Sequence, residues 1–295
     1  MGRMIAMRAM LLAAASAIAS GGQDPQPVEI EVTRIAPHLH VLRGTYANML
    51  ASIGQDGTLL VDDDMEPLAA ELRATLANLG GGEPRFILNT HWHLDHTGGN
   101  PVFGAGGAII IAHENTRLRL STPQTMLGER IEPMPEDGWP VMTYEQGLSL
   151  RFNGEEIRIV HYPRGHTDGD AVIFFAGSNV VHMGDLYFEG WFPNIDLEAG
   201  GDAEGYVRDL ESILDDLPDD ATIIPGHGPV SRKKDLQRFR DMLAEIMAMV
   251  RGKIEAGRAR EAIIAEGVPE RWQSLDRPEM TAERFLGTVY DSLAK

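Results

Sequence analysis

Apolar positions between residues 28 and 62 fall in short runs broken by turn residues. The segments VEIEVTRIA, HLHVLRG, NMLASIG and GTLLVDD read as strands, with Gln55-Asp56-Gly57 as a hairpin turn. The period then lengthens. EPLAAELRATLANLGG predicts a helix with Pro67 near its start and a glycine stop. A strand, RFILNT, follows, and GGAIIIAHENTRLRL predicts another strand running into a helix. Residues 121–146 are rich in Pro, Gly, Met and acids and show no sustained period, so a loop or flap is expected there.

A second strand-rich half begins after it, in LSLRFNGEEIRIVHYP, DAVIFFAGSNVVHMGD and ATIIPGHG, with a helix at AEGYVRDLESILDDLP. Helical spacing runs from Lys233 to Ala256 and again from Thr281 to Ala294. Periodicity alone supports an α/β or α+β fold, and residues 28–295 are expected to form one domain with C-terminal helices.

Composition narrows the function classes. The net charge is −18 and no basic run stands out, which argues against nucleic acid as a partner and fits an enzyme acting on a small-molecule substrate. Arg3 and Arg8 precede the apolar run Ala9 to Ala19, which ends in Ala17-Ile18-Ala19. That is the pattern of a signal peptide over residues 1–19, predicting a periplasmic or secreted protein with no stable membrane insertion after cleavage. An N-terminal anchor or a buried helix is the competing reading of the same run. Nothing in the composition selects an oligomeric state. There is no cysteine, so any metal must be held by histidine and carboxylate alone.

One stretch concentrates such groups. NTHWHLDHTGG places His91, His93, Asp95 and His96 within six positions, directly after a predicted strand. In an extended segment His91, His93 and Asp95 project to one side, and His96 follows as the chain turns. Imidazole nitrogen and carboxylate oxygen suit a divalent zinc ion, but this stretch cannot complete a coordination sphere. Further donors come after later strands: His166 in PRGHTDGD, Asp185 in HMGDLYF and His227 in IIPGHGP. Together they are enough for two metals.

This ensemble resembles the metallo-β-lactamase-fold hydrolases: H-x-H-x-D-H at His91 to His96, G-H-T-x-G-D at Gly165 to Asp170, G-D at Gly184-Asp185, and P-G-H-G at Pro225 to Gly228. The resemblance implies a four-layer αβ/βα sandwich of the α+β class. It implies one zinc on His91, His93 and His166, a second on Asp95, His96 and His227, and Asp185 bridging the two. Asp62, in LLVDDD, matches a strand-end aspartate that supports the ligands from behind, although an ordinary turn competes for that reading. The implied chemistry is hydrolysis by a metal-bridging hydroxide oriented by Asp95, with two Zn2+ as cofactor and iron or manganese as alternatives on the same ligands. The bridging aspartate belongs to the glyoxalase, lactonase and phosphodiesterase branches, whereas the best-known lactamase branch uses a cysteine that this chain lacks.

The expected reaction is cleavage of an amide, ester or lactone bond in a small substrate, with β-lactam hydrolysis as the most specific form. The alternatives are thioester or phosphodiester hydrolysis, and a non-catalytic periplasmic zinc-binding protein. His38, His40, His113, His161 and His182 read as strand-face, sheet-edge or core residues rather than ligands. Trp139, Trp191 and Phe192 read either as pocket walls or as pins for their loops.

Overall fold

Alternation along the strands decides the layering. The computed structural model describes residues 29–126 and 128–295; the leader expected at residues 1–19 lies outside them. The first sheet holds β1 (Glu31–Ala36), β2 (Leu39–Arg43), β3 (Asn48–Gly54), β4 (Gly57–Val61), β5 (Pro84–Leu88) and β6 (Ile109–His113) in that order. A small separate hairpin, β7 (Gln124–Met126) and β8 (Glu129–Ile131), precedes β9 (Met142–Tyr144), which closes the first sheet beside β6. The second sheet runs β10 (Gly147–Phe152), β11 (Glu155–His161), β12 (Ala171–Phe175), β13 (Val180–His182), β14 (Thr222–Ile224) and β15 (Ser231–Arg232).

Leu39, Val41, Leu50, Leu59, Val61, Leu88 and Ile111 point from the first sheet into a shared core with Ile157, Ile159, Ile173, Phe175 and Ile224 of the second. Their neighbours in sequence point the other way. Leu42, Met49, Leu60, Ile87 and Ile110 meet Leu72 and Leu76 of the helix Ala69–Asn78 and Phe103 of the helix Asn100–Ala105. Phe174, Val181 and Ile223 meet Tyr206 and Leu210 of the helix Ala203–Asp216 and Leu236 and Phe239 of the helix Lys233–Glu255. Strands whose two faces are both apolar need a covering layer on each side, and the result is helix, sheet, sheet, helix. Each fully buried Leu, Ile or Phe stabilises by roughly 1.5–3 kcal/mol, so this double-sided pattern leaves little freedom in register.

Residues 121–146 are not a plain loop. They contain the β7–β8 hairpin, a single 3-10 turn at Glu136–Gly138 and β9, whose Met142 pairs with Ile111 and whose Tyr144 is buried. Three-residue strands are too short to display alternation, which is why the sequence reads there as aperiodic. A helix at Arg260–Glu266 and a 3-10 segment at Glu270–Leu275 join the two long C-terminal helices. Among the described residues no helix is long and apolar enough to cross a membrane.

The topology places the chemistry at one end of the sandwich. β4 and β5 are parallel, so the residues that follow them, Asp62 and the His91 segment, emerge side by side. β13 and β14 are also parallel, which does the same for Asp185 and His227. The turn between antiparallel β11 and β12 brings His166 to the same end.

Candidate metal centre

The strand ends converge on two groups of donors. His91, His93, His166 and Asp185 form one, and Asp95, His96 and His227 form the other; within each group the ligand atoms lie within 4.8 Å of one another. All seven residues singled out from the sequence are therefore brought together. Asp185 faces both groups. Its Oδ1 lies 3.1 Å from His96 Nε2 and 3.2 Å from His227 Nε2, while its Oδ2 lies 3.4 Å from His166 Nε2 and 3.9 Å from His91 Nε2. Asp95 Oδ2 lies 3.4 Å from His227 Nε2 and 3.7 Å from His96 Nε2.

Hydrogen bonds on the outer sides of the rings fix which nitrogen faces inward. Asp62 accepts from the Thr90 N–H and the Thr90 hydroxyl, both at 2.8 Å, and its Oδ2 lies 2.8 Å from His96 Nδ1. Because the Thr90 hydroxyl spends its proton on Asp62, it accepts from His91 Nδ1 at 3.0 Å. His166 donates from Nδ1 to the Asn194 carbonyl, and His93 donates from Nε2 to Asp196, each at 2.9 Å. The inner nitrogens are left as acceptors, as metal binding requires.

Those inner atoms fit a cation and little else. His93 Nδ1 and His166 Nε2 point lone pairs at each other across 2.9 Å. His91 Nε2, His96 Nε2 and Asp185 Oδ1 are buried without a directed hydrogen bond. Buried polar atoms left unsatisfied are costly, so a cluster of them converging on two points is best explained by divalent metal.

Without metal the electrostatics are uneven. Burial, reinforced by the His96 charge, holds His91 well below the ordinary histidine range, and burial brings His166 down to about 4. Burial also opposes charge on His96 and His227, but Asp185 and Asp95 outweigh it and push both upward. Burial would raise Asp185, yet His227, His96 and His166 together hold it well below the usual carboxylate range.

The backbone is shaped to this packing. Asp62 and Asp64 adopt left-handed φ angles of 58° and 56°, which an aspartate tolerates better than most residues. A Cβ on Gly226 would lie 2.1 Å from Asp185 Oδ1, so only glycine fits between the β14 end and that carboxylate. Asp62, Asp63 and Asp64 are all buried and each has its own work. Asp63 accepts from the Gly99 N–H, and Asp64 accepts from the N–H groups of Met65, Ala47 and Tyr46.

Several contributors carried no signal in the sequence. Asp196 and the Asn194 carbonyl lie in the irregular segment after Trp191, where no spacing marks them. Asp170, noted only as the end of a motif, accepts from the N–H groups of His166 and Thr167 and so holds the His166 turn. Tyr206 donates its hydroxyl to the Asp185 carbonyl from a helix facing the second sheet. Of the aromatic residues, Trp191 stacks on His227 at 5.7 Å and Phe192 stacks on Phe285 at 4.9 Å. Both line a cavity of about 530 Å³ that also reaches Asp95, Asp185 and His227. Trp139 instead donates to the Met134 carbonyl and pins the flap.

His113 and His161 stack face to face at 3.6 Å where the interior strands β6 and β11 end, and His182 donates to the Asn48 carbonyl inside the core. His38 meets Glu155 at 3.1 Å, and none of these four belongs to the donor groups.

A four-layer sandwich with clustered His and Asp donors at its strand ends is a metallohydrolase architecture. Residues 44–227 match the family model for the Metallo-beta-lactamase superfamily. An uncharacterized protein of Mycobacterium tuberculosis is 30% identical over 172 residues, covering 54% of this chain and 76% of its own. The hydroxyacylglutathione hydrolase GloC of Haemophilus influenzae is 29% identical over 150 residues, covering 49% of this chain and 68% of its own. In structure, a metallo-beta-lactamase from Pontibacter korlensis superposes with a TM-score of 0.61 at 21% identity, covering 73% of this chain and 99% of its own. The chain belongs to the metallo-beta-lactamase superfamily and is a hydrolase of that superfamily with a His/Asp metal-binding site.

Proposed function

We propose that the protein is a two-zinc hydrolase that cleaves an amide, ester or lactone bond in a small substrate, with the β-lactam ring as the specific bond to assay first. The observation that carries this is Asp185, whose two oxygens face two separate groups of nitrogen donors. His91, His93 and His166 would hold one ion, Asp95, His96 and His227 the other, and Asp185 both. Zinc bound there would polarise a substrate carbonyl and bring the pKa of a water from about 15.7 to about 7. Iron or manganese would suit the same oxygen and nitrogen donors.

The chain's own residues do the rest. Asp95 is the more exposed of the two central carboxylates and lines the cavity. It would orient the attacking water, accept its proton as the bond to the carbonyl carbon forms, and pass that proton to the leaving nitrogen or oxygen as the amide or ester bond breaks. Trp191, Phe188 and Phe192 give the substrate an apolar wall that limits competing water. Asp62, Thr90, Asn194 and Asp196 keep the imidazoles from turning.

The test is steady-state hydrolysis by zinc-loaded protein of a chromogenic cephalosporin, a 4-nitrophenyl ester and a lactone, each with a chelated control. Chelator-sensitive turnover that is lost in His227→Ala is the expected result. Metal uptake with no turnover on the whole panel would leave a zinc-binding protein instead. A second reading, thioester hydrolysis, is favoured by the relative named hydroxyacylglutathione hydrolase, and a glutathione thioester belongs in the same panel. The leader-like residues 1–19 support export to the periplasm or medium, which N-terminal sequencing of the protein recovered from cells would check.

A further inference from the structure

Four of the five imidazoles at the metal centre are fixed by a hydrogen bond on the side away from the donor cluster. His91 is held by Thr90, His93 by Asp196, His96 by Asp62 and His166 by the Asn194 carbonyl. His227 is the exception. Its Nε2 faces Asp185 and Asp95, but its Nδ1 makes no hydrogen bond to any of the described residues. Aromatic rings stand where that bond would be. The Phe188 ring lies 5.0 Å from the His227 ring at an interplanar angle of 14°, and the Trp191 ring lies 5.7 Å away at 28°. Flat rings packed near-parallel to an imidazole resist its tilting, which is the motion an outer hydrogen bond restricts elsewhere in the site.

The backbone is built to make this contact. Phe188 bridges His227 as a parallel strand partner, and Glu189 donates its N–H to the His227 carbonyl at 2.9 Å. The close approach needs glycine, because a Cβ on Gly228 would lie 2.3 Å from the Glu189 carbonyl oxygen. Glu189 is held in turn by Arg238 at 2.7 Å, and Trp191 packs against the cluster that contains Phe239 and Met242. Those anchors sit on the helix Lys233–Glu255, beyond the residues that the family match covers.

We propose that Phe188 and Trp191 are positioning residues that clamp the His227 ring for metal binding, so that the helix Lys233–Glu255 sets, through Trp191, how tightly one of the two ions is held. This rests on the two-metal reading of the site. A stacked clamp holds the plane of the ring and leaves its rotation within that plane to the Nε2 contacts with Asp95 and Asp185. A flat ring at position 191 therefore serves, and an aliphatic side chain does not.

The experiment is titration of chelator-stripped protein with Co2+ against a competing chelator, with the visible spectrum reporting on coordination. Wild type, Trp191→Leu, Trp191→Phe and His227→Ala are compared. Wild type is expected to take two ions, and His227→Ala identifies the ion that depends on His227. In Trp191→Leu that same ion is expected to bind about tenfold more weakly with an altered spectrum, while the other changes by less than about twofold. Trp191→Phe is expected to recover most of the loss, because it keeps a flat ring. Affinities within about twofold of wild type for both ions in folded Trp191→Leu would overturn the proposal. So would equal weakening of both ions, or a Trp191→Phe no better than Trp191→Leu, since each marks a general loss of packing. If Trp191→Leu does not fold, unchanged affinity for the His227-dependent ion in folded Phe188→Leu would overturn it just as well. A single ion in wild type would overturn the two-metal reading and this proposal with it, whereas two ions held equally well in wild type and Trp191→Leu would overturn the proposal alone.

Discussion

Asp62 Oδ2 lies 2.8 Å from His96 Nδ1, and the same carboxylate receives both hydrogens of Thr90 that orient the His91 side. One residue at the end of β4 thus sets the tautomer of an imidazole in each donor group. Asp62→Asn keeps a residue that tolerates the left-handed φ of 58° but removes the charge that favours inward-facing lone pairs. Zinc affinity, measured against a competing chelator, is expected to fall about 10- to 100-fold. Unchanged affinity would show that Asp62 only shapes the turn.

Gly226 makes a second, purely steric prediction. Gly226→Ala drives a methyl group to within 2.1 Å of Asp185 Oδ1, against backbone that cannot retreat. Loss of most of the bound metal and at least a tenfold loss of turnover are expected. Gly252 is the control, because a Cβ there meets nothing within 4 Å on an exposed helix face. Gly252→Ala is expected to raise stability by about 0.5–1 kcal/mol and leave metal content alone. Equal metal content in the two variants would remove the steric argument.

The stacked pair His113 and His161 gives the fold an acid sensitivity. Burial brings His161 down to about 4, and a charge on His113 would lower it further. Unfolded histidine titrates near about 6.5. Between those values the unfolded chain binds the extra proton, so this contribution to stability is complete above about pH 6.5 and is lost as pH falls toward 4. Urea midpoints of wild type should fall across that window. His161→Asn, which keeps a donor for the Asp170 carbonyl, should fall less steeply. Parallel curves would show that His161 does not contribute to the acid sensitivity.

The parts of the molecule legible in sequence are those where one strong rule acts alone. Double-faced apolar strands such as Leu59-Leu60-Val61 announce a buried sheet, and motif order placed all seven donors that the fold gathers. The four layers came from resemblance rather than from period, because alternation says that both faces are covered without saying by what. What stayed hidden depends on tertiary contact. β9 is three residues long and exists because Ile111 and Tyr144 have partners, and Asp196 finds His93 from 103 positions away. The last helix, Ala282–Leu293, shows the same limit. Helical spacing located it, but only the stacking of Phe285 on Phe192 puts it beside the metal centre.

The central claim is that Asp185 joins two metal sites. Its most direct test is the zinc content of chelator-stripped wild-type protein after re-equilibration with excess zinc and gel filtration, read by elemental analysis. The account predicts two zinc ions per chain. A single zinc at saturation, or none, would contradict it.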